Sequence, residues 1–229
     1  MATKIIVSYD GTDNDRDALA LGELFARHGA EIALAYVRHT HEPRREREAL
    51  EEKQAEQLLR GGALSIDRPE TPQHVIVHAS TGKGLAELAE REGADLVVFG
   101  SEYRTAPGAV EPGTSARWLL NGGRVAIAIA PAELRTRGTF EVARLGVLGE
   151  AGDDAPEETA RSLAAALGGE VSEPGHGRVD LLVVGSRDGT SQGRLELSAT
   201  AEYAIETASS PVLAVPRGAP VSFGAVSHA

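Results

Sequence analysis

The chain contains no cysteine, which removes thiol nucleophiles, disulfide frameworks and cysteine-ligated zinc or iron–sulfur sites from consideration. Aromatic side chains are scarce, with 4 Phe, 4 Tyr and 1 Trp among 229 residues. Aliphatic residues and alanine must therefore build the core, as they do in parallel α/β sheets. Basic residues are the scarcer charge: 23 Lys and Arg against 34 Asp and Glu leave a formal charge of -11. That balance argues against nucleic acid or anionic lipid as a general partner. No hydrophobic run approaches the roughly 20 residues of a membrane span. The N-terminus reaches Asp10 before a signal-peptide core can form. The expectation is a cytoplasmic protein without membrane or nucleic-acid contacts, long enough for one large domain or two lean ones.

What is present is an alternation of short apolar runs with helical patterns. Lys4 to Tyr9 is β-branched and ends at Asp10-Gly11; Leu19, Leu21, Leu24 and Phe25 then form a helical stripe closed by His28-Gly29. Glu31 to Val37 reads as a second strand, Arg44 to Arg60 as a charged helix capped by Gly61-Gly62, and His74 to His78 as a third strand. Thr81 is placed to cap a helix over Lys83 to Arg91. Asp95 to Phe99 is a fourth strand, Ser115 to Leu120 lies in a helix, and Val125 to Ala130 is a fifth strand closed by Pro131. Five strands with intervening helices predict an α/β fold with a doubly wound parallel sheet.

The second half repeats the end of the first. Ala94-Asp95-Leu96-Val97-Val98-Phe99-Gly100-Ser101 aligns with Val179-Asp180-Leu181-Leu182-Val183-Val184-Gly185-Ser186, and Pro131 with Pro216, all at an offset of 85 (95 to 180, 131 to 216). The opening strand recurs as Leu145 to Glu150 at an offset of 140 (10 to 150), so the second copy is 55 residues shorter (140 less 85). The missing stretch corresponds to much of the second strand, second helix, third strand and third helix. The predicted division is a domain over residues 1–133, a shortened copy over 139–217, and a tail over 218–229. That tail, rich in Gly, Ala and Ser, is expected to be poorly ordered.

Ligands of open parallel sheets bind beyond the carboxyl ends of the strands, where strand order reverses. With the first and fourth strands as neighbours, Asp10, Gly11 and Thr12 border that crevice on one side and Gly100 and Ser101 on the other. A strand ending in Asp-Gly, then Asp-Leu-Val-Val-Phe-Gly-Ser, then Gly-Thr-Ser before a helix and a Pro-terminated strand resembles the universal stress protein family. The resemblance spans residues 1–132 and, shortened, 143–216. It implies the adenine nucleotide alpha hydrolase-like sheet, repeated, and an internal pseudo-dimer in which Val125 to Ala130 pairs with Val212 to Val215. The shortened copy leaves room for a second chain, so a homodimer is a further expectation.

The nucleotide-binding branch of that family carries Gly, two residues, Gly, nine residues, then Gly followed by Ser or Thr. Here Gly100 opens the pattern and Gly113-Thr114 stands thirteen positions later, at the required spacing, but Tyr103 replaces the second glycine. The resemblance implies that Asp10 receives the adenine or its amino group and that Val37 packs against the base. It also implies that Gly100, Gly113, Thr114 and Ser115 hold the phosphates of ATP or a related adenine nucleotide, with Mg2+ only as its companion. Glycines let backbone approach phosphate oxygens, and hydroxyls at a helix start donate to them. A second reading makes Asp10-Gly11 a turn, Gly100 a tight strand exit and Thr114 or Ser115 a cap. Tyr103 would block part of the approach, and Glu102 and Glu111 would repel phosphate if they faced the crevice.

In the second copy Glu150 replaces the aspartate, Asp188 fills the second glycine position and Ser198-Ala199 replaces Gly-Ser, which predicts a structural half without a nucleotide site. Other patterns carry less. No Gly-x-x-x-x-Gly-Lys-[ST] loop occurs. His39-x-His41-Glu42 falls in a polar loop, His74 and His78 share a strand face, and the run from Arg44 mixes charge signs as a solvated helix face does. Trp118 is expected in the core or between the halves. No residue stands as a convincing general base, so any ATP turnover would be slow. The leading expectation is a nucleotide-binding sensor; the competing one is a protein-interaction module of the same fold.

Overall fold

The structure is a computed structural model and describes residues 2–39, 45–138, 140–172 and 178–224, with side chains at all of these except 45–50. The first half runs β1 (Lys4–Ser8), α1 (Asp13–Arg27), β2 (Glu31–Arg38), α2 (Arg45–Ser65), β3 (Gln73–Val77), α3 (Thr81–Glu92), β4 (Leu96–Gly100), α4 (Thr114–Leu120) and β5 (Ala126–Ala130). The second continues with β6 (Arg144–Leu148), α5 (Ala155–Leu167), β7 (Glu170–Val171), β8 (Leu181–Val184), α6 (Ala199–Glu206) and β9 (Val212–Ala214). The strands form one sheet in the order β3-β2-β1-β4-β5-β9-β8-β6-β7. Every neighbouring pair is parallel except β5 and β9, which run antiparallel with Ala128 opposite Leu213.

Because β4 and β5 are apolar at nearly every position, both faces of the sheet must be covered. One core layer joins β-strand residues to α1, α2 and α5 and is continuous from Phe25 to Leu163. The other layer joins the opposite sheet face to α3, α4 and α6. The doubly wound fold class is as predicted, five parallel strands in the first half and a shorter repeat in the second. Among the described residues the second half carries β7 as a two-residue remnant of the second strand and has no counterpart of α2, β3 or α3.

The repeat extends to individual hydrogen bonds. Ser101 Oγ donates to the Ala130 carbonyl at 2.7 Å, and Ser186 Oγ to that of Val215 at 3.1 Å. Gly108 N donates to Ala132 and Gly193 N to Arg217, both at 2.8 Å. Across the junction the bonds are reciprocal: Val110 N donates to Ala208 at 3.3 Å, and Leu195 N to Gly123 at 2.9 Å. Each of these residues lies 85 positions from its counterpart (110 to 195, 123 to 208), and such exchange of partners is the signature of a two-fold relation.

Several local expectations are corrected. Gly61-Gly62 does not end a helix, because α2 continues to Ser65. A Cβ on Gly62 would lie 2.7 Å from Tyr9 Cε1, so this glycine serves the close approach of helix to sheet rather than a cap. The helix cap before α3 is Ser80, whose side chain accepts from Lys83 N, not Thr81. Trp118 is 45% exposed and lies against Gly82 of α3 instead of filling the core or the junction.

The segment after Pro216 is packed as far as Phe223, contrary to the expected loose tail. Val221 and Phe223 are buried, and the Phe223 ring lies 5.4 Å from that of Phe25. Val221 N donates to Thr159 Oγ1, Phe223 N to Ser162 Oγ and Thr3 Oγ1 to the Ser222 carbonyl. Residues 225–229 lie outside those described. The alternation of Val221 and Phe223 outweighs the small residues around them, and the segment straps α5 of the second half to α1 and β1 of the first.

The connection between halves is pinned as well. Asp17, 1% exposed, accepts from Glu133 N at 2.8 Å, Arg135 N at 3.0 Å and the Arg135 guanidinium at 3.0 Å. These contacts hold the 3-10 turn Leu134–Arg137 against α1. Removing the Phe223 ring should open a cavity between the halves: Phe223→Ala is expected to lower stability by about 3 kcal/mol in urea unfolding. A loss near zero would mean that the strap is not held.

Candidate functional site

The carboxyl ends of β1 and β4 are neighbours, with β2 beyond one and β5 beyond the other, so chain segments leave this point in opposite directions and open a crevice. A cavity of ≈ 460 Å³ lies there. Its lining includes Ala35, Val37 and Phe99, which share one sheet face, and Ala116 of α4. Around this apolar floor stand Asp10, Thr12, Asn14 and Asp15 from the end of β1 and start of α1; His39 and Thr81; Ser101, Glu102 and Tyr103 after β4; and Gly113, Thr114 and Ser115 at the start of α4. An apolar floor with a few polar groups at its rim suits a small planar ligand.

Of the nine residues singled out in the sequence, Asp10, Thr12, Val37, Gly100, Ser101, Gly113, Thr114 and Ser115 line the cavity. Gly11 is not part of the lining. It adopts φ +84, and a Cβ there would meet Leu58 Cδ1 at 3.0 Å, so its role is to turn the chain beneath α2. The lining residues also have structural duties. A Cβ on Gly100 would lie 2.0 Å from the Asn14 carbonyl oxygen, so the glycine lets the first turn of α1 rest on the end of β4. The Ser101 hydroxyl is occupied with the Ala130 carbonyl and accepts from Glu111 N at 3.2 Å. Asp10 Oδ1 accepts from Thr12 N at 2.9 Å, an Asx turn, and Thr12 caps α1. By contrast, the hydroxyls of Thr114 and Ser115 make no hydrogen bond among the described residues.

Glu102 faces the crevice, whereas Glu111 does not line it. Its Oε2 is 2.9 Å from where a Gly113 Cβ would stand, and its Oε1 accepts from Tyr103 N at 2.9 Å. The backbone beneath is fixed by Glu102 N donating to Glu111 at 2.7 Å. A carboxylate thus lies over the glycine that the family pattern assigns to phosphate. Tyr103 lines the mouth, is 72% exposed and carries the Arg104 guanidinium 5.2 Å from its ring centre. Arg104 has φ +71 where the second half uses Gly189 at φ +78, which places the turn one residue after the tyrosine.

Asp15, His39, Asn14 and Thr81 also line the cavity, and the sequence reasoning did not select them. For three of them the available signal was position, since Asn14 and Asp15 follow β1 and His39 follows β2, strands whose last residues line the cavity; Thr81, at the start of α3, carried none. Asp10 and Asp15 form a carboxyl pair. Burial first, then the hydrogen bond and charge of Asp10, push the Asp15 carboxyl up to about 8. The Asp10 carboxyl is held below its usual value: burial works against this, but hydrogen bonds from Asp15 and Thr12 outweigh it. Asp15 is therefore the protonated partner and Asp10 the anion. In the second half the Pro156 ring comes within 2.5 Å of where a Gly185 Cβ would stand, and Asp188 pairs with Arg217 at 3.3 Å.

The carboxyl pair generates a pH dependence. An unfolded Asp15 loses its proton near 3.8 and the native one near 8, so between these values the native state holds the extra proton and the contribution to stability falls as pH rises. Asp15→Asn keeps a neutral donor beside Asp10. Its stability relative to the parent chain is expected to increase between about pH 4 and about pH 8 and to level off above that, read from melting temperatures in matched buffers. Parallel pH profiles for the two proteins would contradict the pairing.

The fold recurs in solved structures. A universal stress protein from Archaeoglobus fulgidus DSM 4304 has a TM-score of 0.69 at 17% identity, covering 94% of this chain and 98% of its own. A functionally unknown protein from Pseudomonas aeruginosa PAO1 has a TM-score of 0.63 at 13% identity, with coverage of 95% and 93%. A putative universal stress protein from Pseudomonas aeruginosa UCBPP-PA14 has a TM-score of 0.60 at 14% identity, with 95% and 94% covered. At these identities the likeness is one of fold over the full tandem length. No curated protein matches the chain. The model of the universal stress protein family matches residues 1–121, over half of the chain, and on that match the chain belongs to the universal stress protein family.

Proposed function

We propose that this chain is a cytoplasmic stress-response sensor whose N-terminal crevice binds ATP or a related adenine compound, with Mg2+ accompanying the phosphorylated forms. The observation that carries the reading is the ≈ 460 Å³ cavity at the sheet's switch point, with an apolar floor of Ala35, Val37 and Phe99. A purine ring fits such a floor, and the Asp10 carboxylate and the Thr114 and Ser115 hydroxyls around it offer acceptors and donors. Binding rather than turnover is the activity proposed, because the lining carboxylates are engaged in turn and backbone contacts and none is set to activate an attacking water.

A second reading is favoured by Glu102 and Tyr103. With a carboxylate over Gly113 and an aromatic ring at the mouth, the crevice is closed to nucleotide and the chain serves as a protein-interaction module. Mass spectrometry of small molecules released from the freshly purified chain, with ATP calorimetry on the parent and Tyr103→Gly, separates the two. Recovery of an adenine compound from the parent chain is the expected result. An empty protein that gains ATP binding only in Tyr103→Gly would establish the interaction module instead.

A further inference from the structure

We infer that the crevice selects adenine compounds by the absence of phosphate, taking a neutral nucleoside such as adenosine in preference to AMP or ATP, with Glu102 as the residue that sets this choice. The inference rests on the adenine reading above and concerns which member of that class the site accepts. Its basis is the position of one carboxylate. Glu102 Oε2 stands 2.9 Å from where a Gly113 Cβ would be, at the residue that leads into α4 and the hydroxyls of Thr114 and Ser115. Glu102 is anchored at this end of the cavity. Both sides of its backbone are fixed, Glu102 N to the Glu111 carbonyl at 2.7 Å and Thr105 N to the Glu102 carbonyl at 3.1 Å.

The other described lining residues are acidic or neutral apart from one histidine. Among the described residues the cavity is lined by Asp10, Asp15 and Glu102, by no lysine or arginine, and by a single histidine, His39. On the loop that carries Glu102, Arg104 lies over the outer Tyr103 ring. A phosphate beside Glu102 would bring like charges together. A carboxylate is at the same time a strong acceptor for hydroxyl groups, such as those of a ribose diol. The same group therefore repels the phosphorylated ligand and holds the unphosphorylated one.

Calorimetric titration of the full chain with adenosine, AMP and ATP, without and with Mg2+, on the parent and Glu102→Gln tests this. Adenosine is expected to bind the parent at least roughly tenfold more tightly than Mg-free ATP, with AMP between them and with Mg2+ narrowing the gap. Glu102→Gln, an isosteric change at an exposed side chain, should bring adenosine and ATP to within about threefold of each other. ATP binding the parent as tightly as adenosine, or an unchanged ratio in Glu102→Gln, overturns the inference while leaving the adenine reading intact. Failure of all three ligands on both proteins removes the adenine reading and the inference with it.

Discussion

The antiparallel pairing of β5 with β9 is the contact on which the rest of the architecture depends. Each of these strands would otherwise be the exposed edge of its own sheet, and each consists of small or branched apolar residues, Ala126 to Ala130 on one side and Val212 to Ala214 on the other. An unpaired edge of that composition is a site for uncontrolled association. Three residue pairs, Ile127 with Ala214, Ala128 with Leu213 and Ile129 with Val212, turn two open sheets into one. The reciprocal bonds through Val110 and Leu195 then fix the orientation of the halves. Both core layers run across the junction because the sheet beneath them is continuous.

Within this frame the two crevices have different fates. The first retains its surrounding helices and a cavity over Ala35, Val37 and Phe99. The second has the Pro156 ring against Gly185, and a surface ion pair, Asp188 with Arg217, occupies the loop that corresponds to Tyr103 and its neighbours. Both halves keep the backbone scaffold, including the serine that bonds the last strand from position 101 or 186. The scaffold is thus separable from the cavity: the same hydrogen bonds hold the loop whether or not space for a ligand remains.

Much of the fold was legible because strands buried on both faces must be continuously apolar. Val97, Val98 and Phe99 allow little else, and their recurrence at 182–184 exposes the repeat. Glycine was the main source of error. Gly62 has the look of a helix terminator, yet its requirement is set by Tyr9, 53 positions away (9 to 62) in sequence. The strap at Val221 and Phe223 was obscured in the same way, since two apolar residues among small ones have value only where Phe25 and α5 wait for them. In the candidate site, positions near the strand ends were readable, but side-chain direction was not. Whether Glu102 faces inward, and whether Asp15 reaches Asp10, depends on loop geometry that spacing alone does not specify.

The tether between the halves has a consequence for how such a molecule can change. A pair of separate subunits loses its interface on dilution, so each must keep enough surface to hold the other. Here the turn at Leu134–Arg137, anchored by Asp17, keeps the partner strand permanently near at a high effective concentration. The junction can then persist with a contact area too small for two free chains. That freedom fits the loss from the second half of counterparts to α2, β3 and α3 among the described residues: once partnership is a matter of connectivity, one member can be reduced to the part that closes the other's sheet.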